Sequence, residues 1–114
     1  MKTASLIQEI EYNDNKPAIK VLLDTDAGKE IRIVFKEGQV MKKHQAPFPI
    51  VVEIFEGAID FGVNDDQLFH LKRGDLIALE SSVPHDLVAL EDSIVRLSLN
   101  KKDKAQRVEN VTKQ

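Results

Sequence analysis

Most of the chain alternates between apolar and polar residues over short segments that are separated by turn residues. In residues 31–35 and 59–63 every second position is apolar, and residues 93–99 are predicted as a last strand. A period of two places successive side chains on opposite faces of a β-strand. Several short strands with Gly, Asp and Asn turns between them are typical of an antiparallel sandwich or barrel. The pattern therefore predicts an all-β fold.

Three further segments complete this prediction. Residues 6–12 mix apolar and acidic positions and fit a strand or a short helical turn, of which we favour the strand. Residues 19–23 and 31–35 form a hairpin candidate around a polar turn. Residues 101–114 are mostly charged, with at most a short helix over 105–111, and are predicted to form a solvated tail.

The segment 50–55 is apolar on both of its alternating faces. One face carries Ile50, Val52 and Ile54, and the other carries Val51 and Phe55 on either side of Glu53. A strand with one solvent-exposed face would not show this pattern, so both faces are expected to be covered. If the first set lines the interior, the second set needs cover from outside, and a second subunit is the expected cover. The sequence therefore predicts a homodimer.

Composition excludes several classes of protein. The chain has 114 residues, the length of about one domain, and contains no cysteine, so disulfides and thiolate metal sites are excluded. A net charge of -3 and few aromatic residues argue against nucleic-acid binding. No apolar run approaches the roughly 20 residues of a membrane span, and no secretory signal is evident. We expect a cytoplasmic protein that has neither a nucleic-acid nor a membrane partner.

Two stretches of the chain carry glycines and histidines at a distinctive spacing. The first is GQVMKKHQAPFPIVVEIFEG, with Gly38, His44 and Gly57 at its opening, middle and close. The second is GDLIALESSVPHD, with Gly74 and His85. This pairing resembles the two motifs of the cupin family.

The resemblance covers about residues 38–90 and implies a double-stranded β-helix, or jelly-roll barrel, in a single domain over residues 1–114. The middle of the first motif departs from the family pattern. Ala46 stands where the second histidine is expected, and the glutamate position falls on Ile50 or Pro49. In the second motif Ala89 replaces an asparagine. Two of the family's four metal ligands are therefore present.

Strand parity directs both histidines into one cavity if the strands are regular. The residues that share their faces are the predicted lining, namely Ala46, Phe48, Ile50, Val52, Leu87 and Ala89. Neutral imidazoles at His44 and His85 would be suitable ligands for a divalent metal such as Zn, Ni, Fe or Mn. The same parity aims Asp86 and Glu53 away, so water or a loop residue such as Glu80 would have to complete the site.

Without a metal, the two histidines would be polar contacts of a ligand pocket or hydrogen-bonded core residues, and they would still be able to do acid–base work. The third histidine, His70, is expected on the surface.

Three functions stay open at this point. The first is a small cupin that binds a small organic ligand, with or without a weakly held metal. The second, which the resemblance implies, is a metal-dependent dioxygenase, isomerase or lyase acting on a small organic acid or sugar derivative. The third is a non-catalytic dimeric interaction module. The sequence does not decide whether the protein is an enzyme.

Overall fold

Nine short β-strands make up the fold of residues 1–101, which are the residues that the computed structural model describes. They are β1 Ala18–Asp24, β2 Gly28–Phe35, β3 Val40–His44, β4 Ile50–Glu56, β5 Ala58–Val63, β6 Gln67–Lys72, β7 Leu76–Leu79, β8 His85–Ala89 and β9 Ser93–Asn100. The predicted all-β class is confirmed. The tail helix considered for residues 105–111 lies outside the described residues.

The strands form two antiparallel sheets. One has five strands in the order β1-β2-β9-β4-β7, and the other has four in the order β3-β8-β5-β6. The hairpin expected near the N-terminus is present, since β1 pairs with β2 in antiparallel register. Within residues 1–101 no helix is suited to crossing a bilayer.

The core lies between the two sheets and is built from the inward positions of the alternating strands. Its buried members are Ile33, Phe35, Ile50, Val52, Ile54, Ile59, Phe61, Val63, Leu79, Leu87, Ala89 and Val95. Burying a side chain of this size contributes about 1.5–3 kcal/mol, so this set provides the main driving force for folding. The period-two pattern of the sequence therefore corresponds to one buried face on each sheet.

Strand β4 confirms the predicted division between an inner and an outer set. Ile50, Val52 and Ile54 are at most 3% exposed. On the other face Val51 is 42% exposed. The outer face of β4 is therefore exposed at Val51, whereas Glu53 and Phe55 on the same face are half-buried in one copy of the chain.

The N-terminal segment corrects the sequence prediction, because residues 6–12 form no strand. The guanidinium of Arg32, which is buried on the outer face of β2, donates hydrogen bonds to the carbonyls of Ser5 (3.3 Å), Gln8 (2.9 Å) and Glu9 (3.2 Å). Glu9 also has a φ of 53°, which interrupts an extended backbone. The segment is therefore held across the sheet by one side chain and has no ladder of backbone hydrogen bonds.

Candidate functional site

The structure brings the two motif histidines into contact. Strands β3 and β8 are neighbours in the four-stranded sheet, and their register places His44 directly opposite His85. The ring centroids are 4.2 Å apart, with an angle of 59° between the ring planes. Two imidazoles separated by 41 residues in the sequence therefore form one local group.

Each ring is oriented by a backbone carbonyl of its own chain segment. Nδ1 of His44 lies 2.8 Å from the carbonyl oxygen of Lys42, and Nδ1 of His85 lies 2.9 Å from that of Val83. A carbonyl oxygen only accepts, so the proton of each neutral ring is on Nδ1. The Nε2 atoms are left with a free lone pair. Metal-binding histidines are commonly held in this way.

His85 is the buried member of the pair. Its side chain is 2% exposed and stacks on Phe61, with ring centroids 5.6 Å apart and planes 3° from parallel. Burial lowers the pKa of His85 below its ordinary value of 6.5, and the neighbouring His44 acts in the same direction, whereas the hydrogen bond to Val83 opposes it. His85 is therefore held in its neutral form, which keeps the Nε2 lone pair available.

His85 is almost fully enclosed, at 2% exposed, and its hydrogen bond is made by Nδ1. His44 is half-buried beside it. The pair therefore lies where the packed core ends and solvent begins.

The other predicted lining residues fall into two groups. Ile50, Val52, Leu87 and Ala89 are buried members of the core, and Leu87 and Ala89 follow His85 on the same face of β8. Ala46 is half-buried and packs against that core, and Phe48 is half-buried in the loop after β3. The backbone N–H of Ser82 donates to the carbonyl of Ala46 (2.7 Å), which ties this loop to the one that precedes β8.

The acidic residues nearest in sequence do not join the histidines. Glu53 lies on the outer face of β4, with Oε1 3.7 Å from Nη1 of Arg96. The carboxylate of Asp86 lies against Gly62 on the outer face of the other sheet. Glu80 is exposed and lines a separate cavity of about 580 Å³ at the rim of the five-stranded sheet. Parity predicted the outward positions of Glu53 and Asp86 correctly.

The two histidine nitrogens therefore fit a weakly held metal ion, but they do not make up the ligand set of a catalytic metal site. Within residues 1–101 no three His, Cys, Asp or Glu side chains converge. Two Nε2 atoms with oriented rings are suitable first ligands, but catalytic sites usually have three from the protein. Water or the ligand itself would have to supply the rest.

One exposed polar residue in the row of the two histidines was not recognised from the sequence. In the four-stranded sheet Gln67 lies opposite Val63, and Val63 lies opposite His85. Gln67 therefore belongs to the same row on the same face as the two histidines. The alternation of Gln67 with Phe69 and Leu71 along β6 is the signal that would have placed it there. His70, between the latter two, is exposed as predicted.

Solved structures share this architecture. An RmlC-like cupin from Desulfovibrio desulfuricans has a TM-score of 0.81 at 22% identity, covering 88% of this chain and 96% of that one. An RmlC-like cupin from Shewanella frigidimarina has a TM-score of 0.74 at 19% identity, covering 92% and 96%. KdgF from Halomonas sp. has a TM-score of 0.68 at 22% identity, covering 83% of this chain and 92% of that one.

No family model matches the sequence, and no curated protein matches it either. At these identities the solved structures show the fold. The chain has the double-stranded β-helix fold of the cupins, as its two motifs predicted.

Proposed function

We propose that this protein, which has the cupin fold, binds a small organic ligand at the end of its barrel, with His44 and His85 as the polar contacts. The observation that carries the proposal is the orientation of the two rings. Both Nδ1 atoms are occupied by backbone carbonyls, so both Nε2 atoms are left as acceptors at the boundary between core and solvent. An apolar lining with a few convergent polar atoms is typical of small-molecule sites.

Two modes of contact are compatible with this donor set. In the first, a hydroxyl group of the ligand donates directly to one of the two Nε2 atoms. In the second, the two Nε2 atoms hold a divalent ion such as Zn, Ni, Fe or Mn, which would supply Lewis-acid polarisation of a ligand oxygen. With two protein ligands such a site would bind metal weakly. The ring orientation serves both modes equally.

The geometry supports binding better than it supports a metal-dependent enzyme. A dioxygenase, isomerase or lyase of the kind considered from the sequence would need a third protein ligand. Residues 1–101 bring together two. Ligand binding requires nothing beyond the two acceptors and an apolar lining, and it is therefore the function that we propose.

Imidazole NMR of the intact protein tests this proposal. Zn²⁺ and phenol are titrated separately into metal-free, ¹⁵N-labelled protein, and the Nε2 signals of His44 and His85 are followed. We expect both probes to shift these signals, and His44→Ala or His85→Ala to weaken zinc binding by at least about tenfold, the loss that even outer-shell changes cause. His70→Ala, at an exposed histidine of the same sheet, is the matched control and should bind as the native protein does. Unmoved Nε2 signals with both probes would refute the proposal.

The proposal includes a homodimer and a cytoplasmic location. Val51 lies opposite Ala78 and Glu53 lies opposite Leu76, so these residues share the outer face of the five-stranded sheet. Val51 and Leu76 are 42% and 64% exposed, and Ala78 between them is also exposed. A contiguous apolar patch of this kind supports the predicted contact with a second copy. The cytoplasmic location stays a prediction from composition.

A further inference from the structure

The two sheets do not close against each other between β6 and β7. Strand β6 pairs with β5 alone and β7 pairs with β4 alone, so each is an edge strand. A three-residue turn connects them, and its Gly74 has a φ of 90°, a conformation that favours glycine. This turn carries the chain from one sheet to the other and leaves a cleft between the two edges.

The cleft has a volume of about 330 Å³ and mostly apolar walls. One wall is formed by Val63, Gln67, Phe69 and Leu71, and the other by Leu76, Ile77, Ala78 and Leu79. Phe69 has the inward register position opposite Phe61, yet it is 39% exposed, whereas Phe61 is fully buried. Phe69 is therefore an aromatic ring that lines the cleft and is partly accessible from it.

The cleft adjoins the histidine row at Val63, which lines the cleft and lies opposite His85. Across the inner face of the four-stranded sheet the register runs from His44 to His85, Val63 and Gln67. Neighbouring strands lie about 4.8 Å apart, so Gln67 is about two strand spacings, or roughly 10 Å, from His85. Val63 belongs to both features.

The atoms at the two ends define the chemistry of the occupant. At the histidine end the free Nε2 atoms accept hydrogen bonds, so the polar group of the ligand must donate one. A hydroxyl group donates, whereas an ionised carboxylate does not. At the other end the walls are apolar, with the amide of Gln67 at the margin. The ligand that fits both ends is a small alcohol or phenol with a compact apolar body.

We propose that the β6–β7 cleft binds the apolar body of the ligand while the ligand's hydroxyl group reaches His44 and His85. This inference rests on the proposed function, because it extends the histidine site on β3 and β8 across β5 to β6. It assigns the ligand class as small, neutral, hydroxyl-bearing molecules. It also assigns Val63, Gln67 and Phe69 to the binding site.

The test uses phenol and methanol as probes on the intact protein. Backbone and imidazole NMR signals are followed together during each titration. Phenol should shift the Nε2 signals of both histidines and the amides of Phe69, Leu71 and Ile77 with one common affinity. Methanol has the hydroxyl group without the ring, so it should bind at least about tenfold more weakly, a loss of about 1.4 kcal/mol in apolar contact.

Two tryptophan substitutions at neighbouring positions of β6 separate the cleft from the rest of the strand. Gln67→Trp fills the cleft and should weaken phenol binding at least about tenfold. Leu68→Trp places the same ring on the outer face, opposite Gly62, and should leave phenol binding unchanged. A ¹⁵N spectrum of each variant verifies that the sheet is intact.

Each other outcome contradicts the inference in a recognisable way. If phenol shifts the histidines but not the amides of β6 and β7, or if Gln67→Trp binds normally, the cleft is not part of the site and the proposed function still stands. If phenol shifts only the cleft amides and His85→Ala does not weaken it, the cleft is separate from the histidines. If phenol shifts neither region, the cleft inference is wrong, and the zinc titration decides whether the histidine site stands.

Discussion

Two histidine contacts lie on opposite faces of the same four-stranded sheet and differ in their surroundings. On the inner face, His85 is 2% exposed, contacts His44 and stacks on Phe61. On the outer face, the side chain of His70 is 72% exposed and contacts the carboxylate of Asp60. The inner pair is oriented by carbonyls that fix the tautomer, whereas the outer histidine has a charged neighbour and free access to water.

This difference shows that the face of the strand decides what a histidine can do. Contacts between exposed side chains of this kind typically contribute about 0–1 kcal/mol. A buried, oriented and neutral imidazole keeps an acceptor atom at the site without titrating near pH 7. The proposed binding site therefore uses the inner pair, whereas His70 lies on the surface. Three predictions test this comparison, from the largest expected effect to the smallest.

The largest effect is expected for the ring that supports the inner pair. Phe61 is fully buried and stacks on His85, so Phe61→Ala leaves a cavity beneath the imidazole. We expect a loss of about 3–5 kcal/mol in the free energy of unfolding, measured by urea denaturation. Phe69→Ala on the adjacent strand is the matched control. Because Phe69 is 39% exposed, its loss should be clearly smaller. Equal losses would show that the cleft side of the sheet is as tightly packed as the core.

The second prediction concerns the outer face of the other sheet. Val51→Glu adds a charge to the apolar patch of Val51, Leu76 and Ala78, so it should weaken a dimer at least about a hundredfold, or about 2.7 kcal/mol. Mass and concentration dependence are measured by analytical ultracentrifugation. Val40→Glu is the control, because Val40 is similarly exposed (47%) on the four-stranded sheet. A native protein that is monomeric at all concentrations, or a dimer that Val51→Glu leaves intact, would contradict the proposed interface.

Much of the inner site was predictable because strand parity and glycine turns are local properties. Alternation placed Ile50, Val52, Leu87 and Ala89 on the buried face, and the motif spacing brought His44 and His85 together. The same alternation identified the outward positions of Glu53 and Asp86. The alternation of side chains along a strand is a local property, so it can be recognised in a single sequence.

The remaining features depend on contacts between segments that are distant in the sequence. Residues 6–12 were predicted as a strand. The guanidinium of Arg32 on β2 instead donates a hydrogen bond to the carbonyl of Gln8, and the local sequence pattern does not reveal this partner. Gln67 and the β6–β7 cleft follow from which strands form the sheet edges, which alternation does not determine. The closed barrel implied by the resemblance also gave no indication of this lateral opening.

The smallest expected effect is the pH dependence of stability that His85 produces. Its pKa in the folded protein lies below the ordinary value of 6.5, chiefly because burial disfavours the charged ring. As the pH falls below about 6.5, the unfolded chain takes up a proton that the folded chain does not, so the free energy of unfolding decreases. Above that pH both states are neutral and His85 contributes no slope. Urea denaturation in EDTA between about pH 5 and pH 8 measures this dependence.

Histidine substitutions on the two faces separate this effect from that of the carboxylates. His85→Gln cannot be protonated, so its stability should fall less steeply than that of the native protein as the pH is lowered through 6.5. His70→Gln removes an exposed histidine and should retain the native slope, with an overall change within about 0.5 kcal/mol. If instead His70→Gln removes the pH dependence of the free energy of unfolding and His85→Gln retains it, the pH dependence comes from the outer histidine and not from His85. The comparison of the two faces would then be wrong, because burial would not keep His85 in the neutral form that the proposed ligand contact requires.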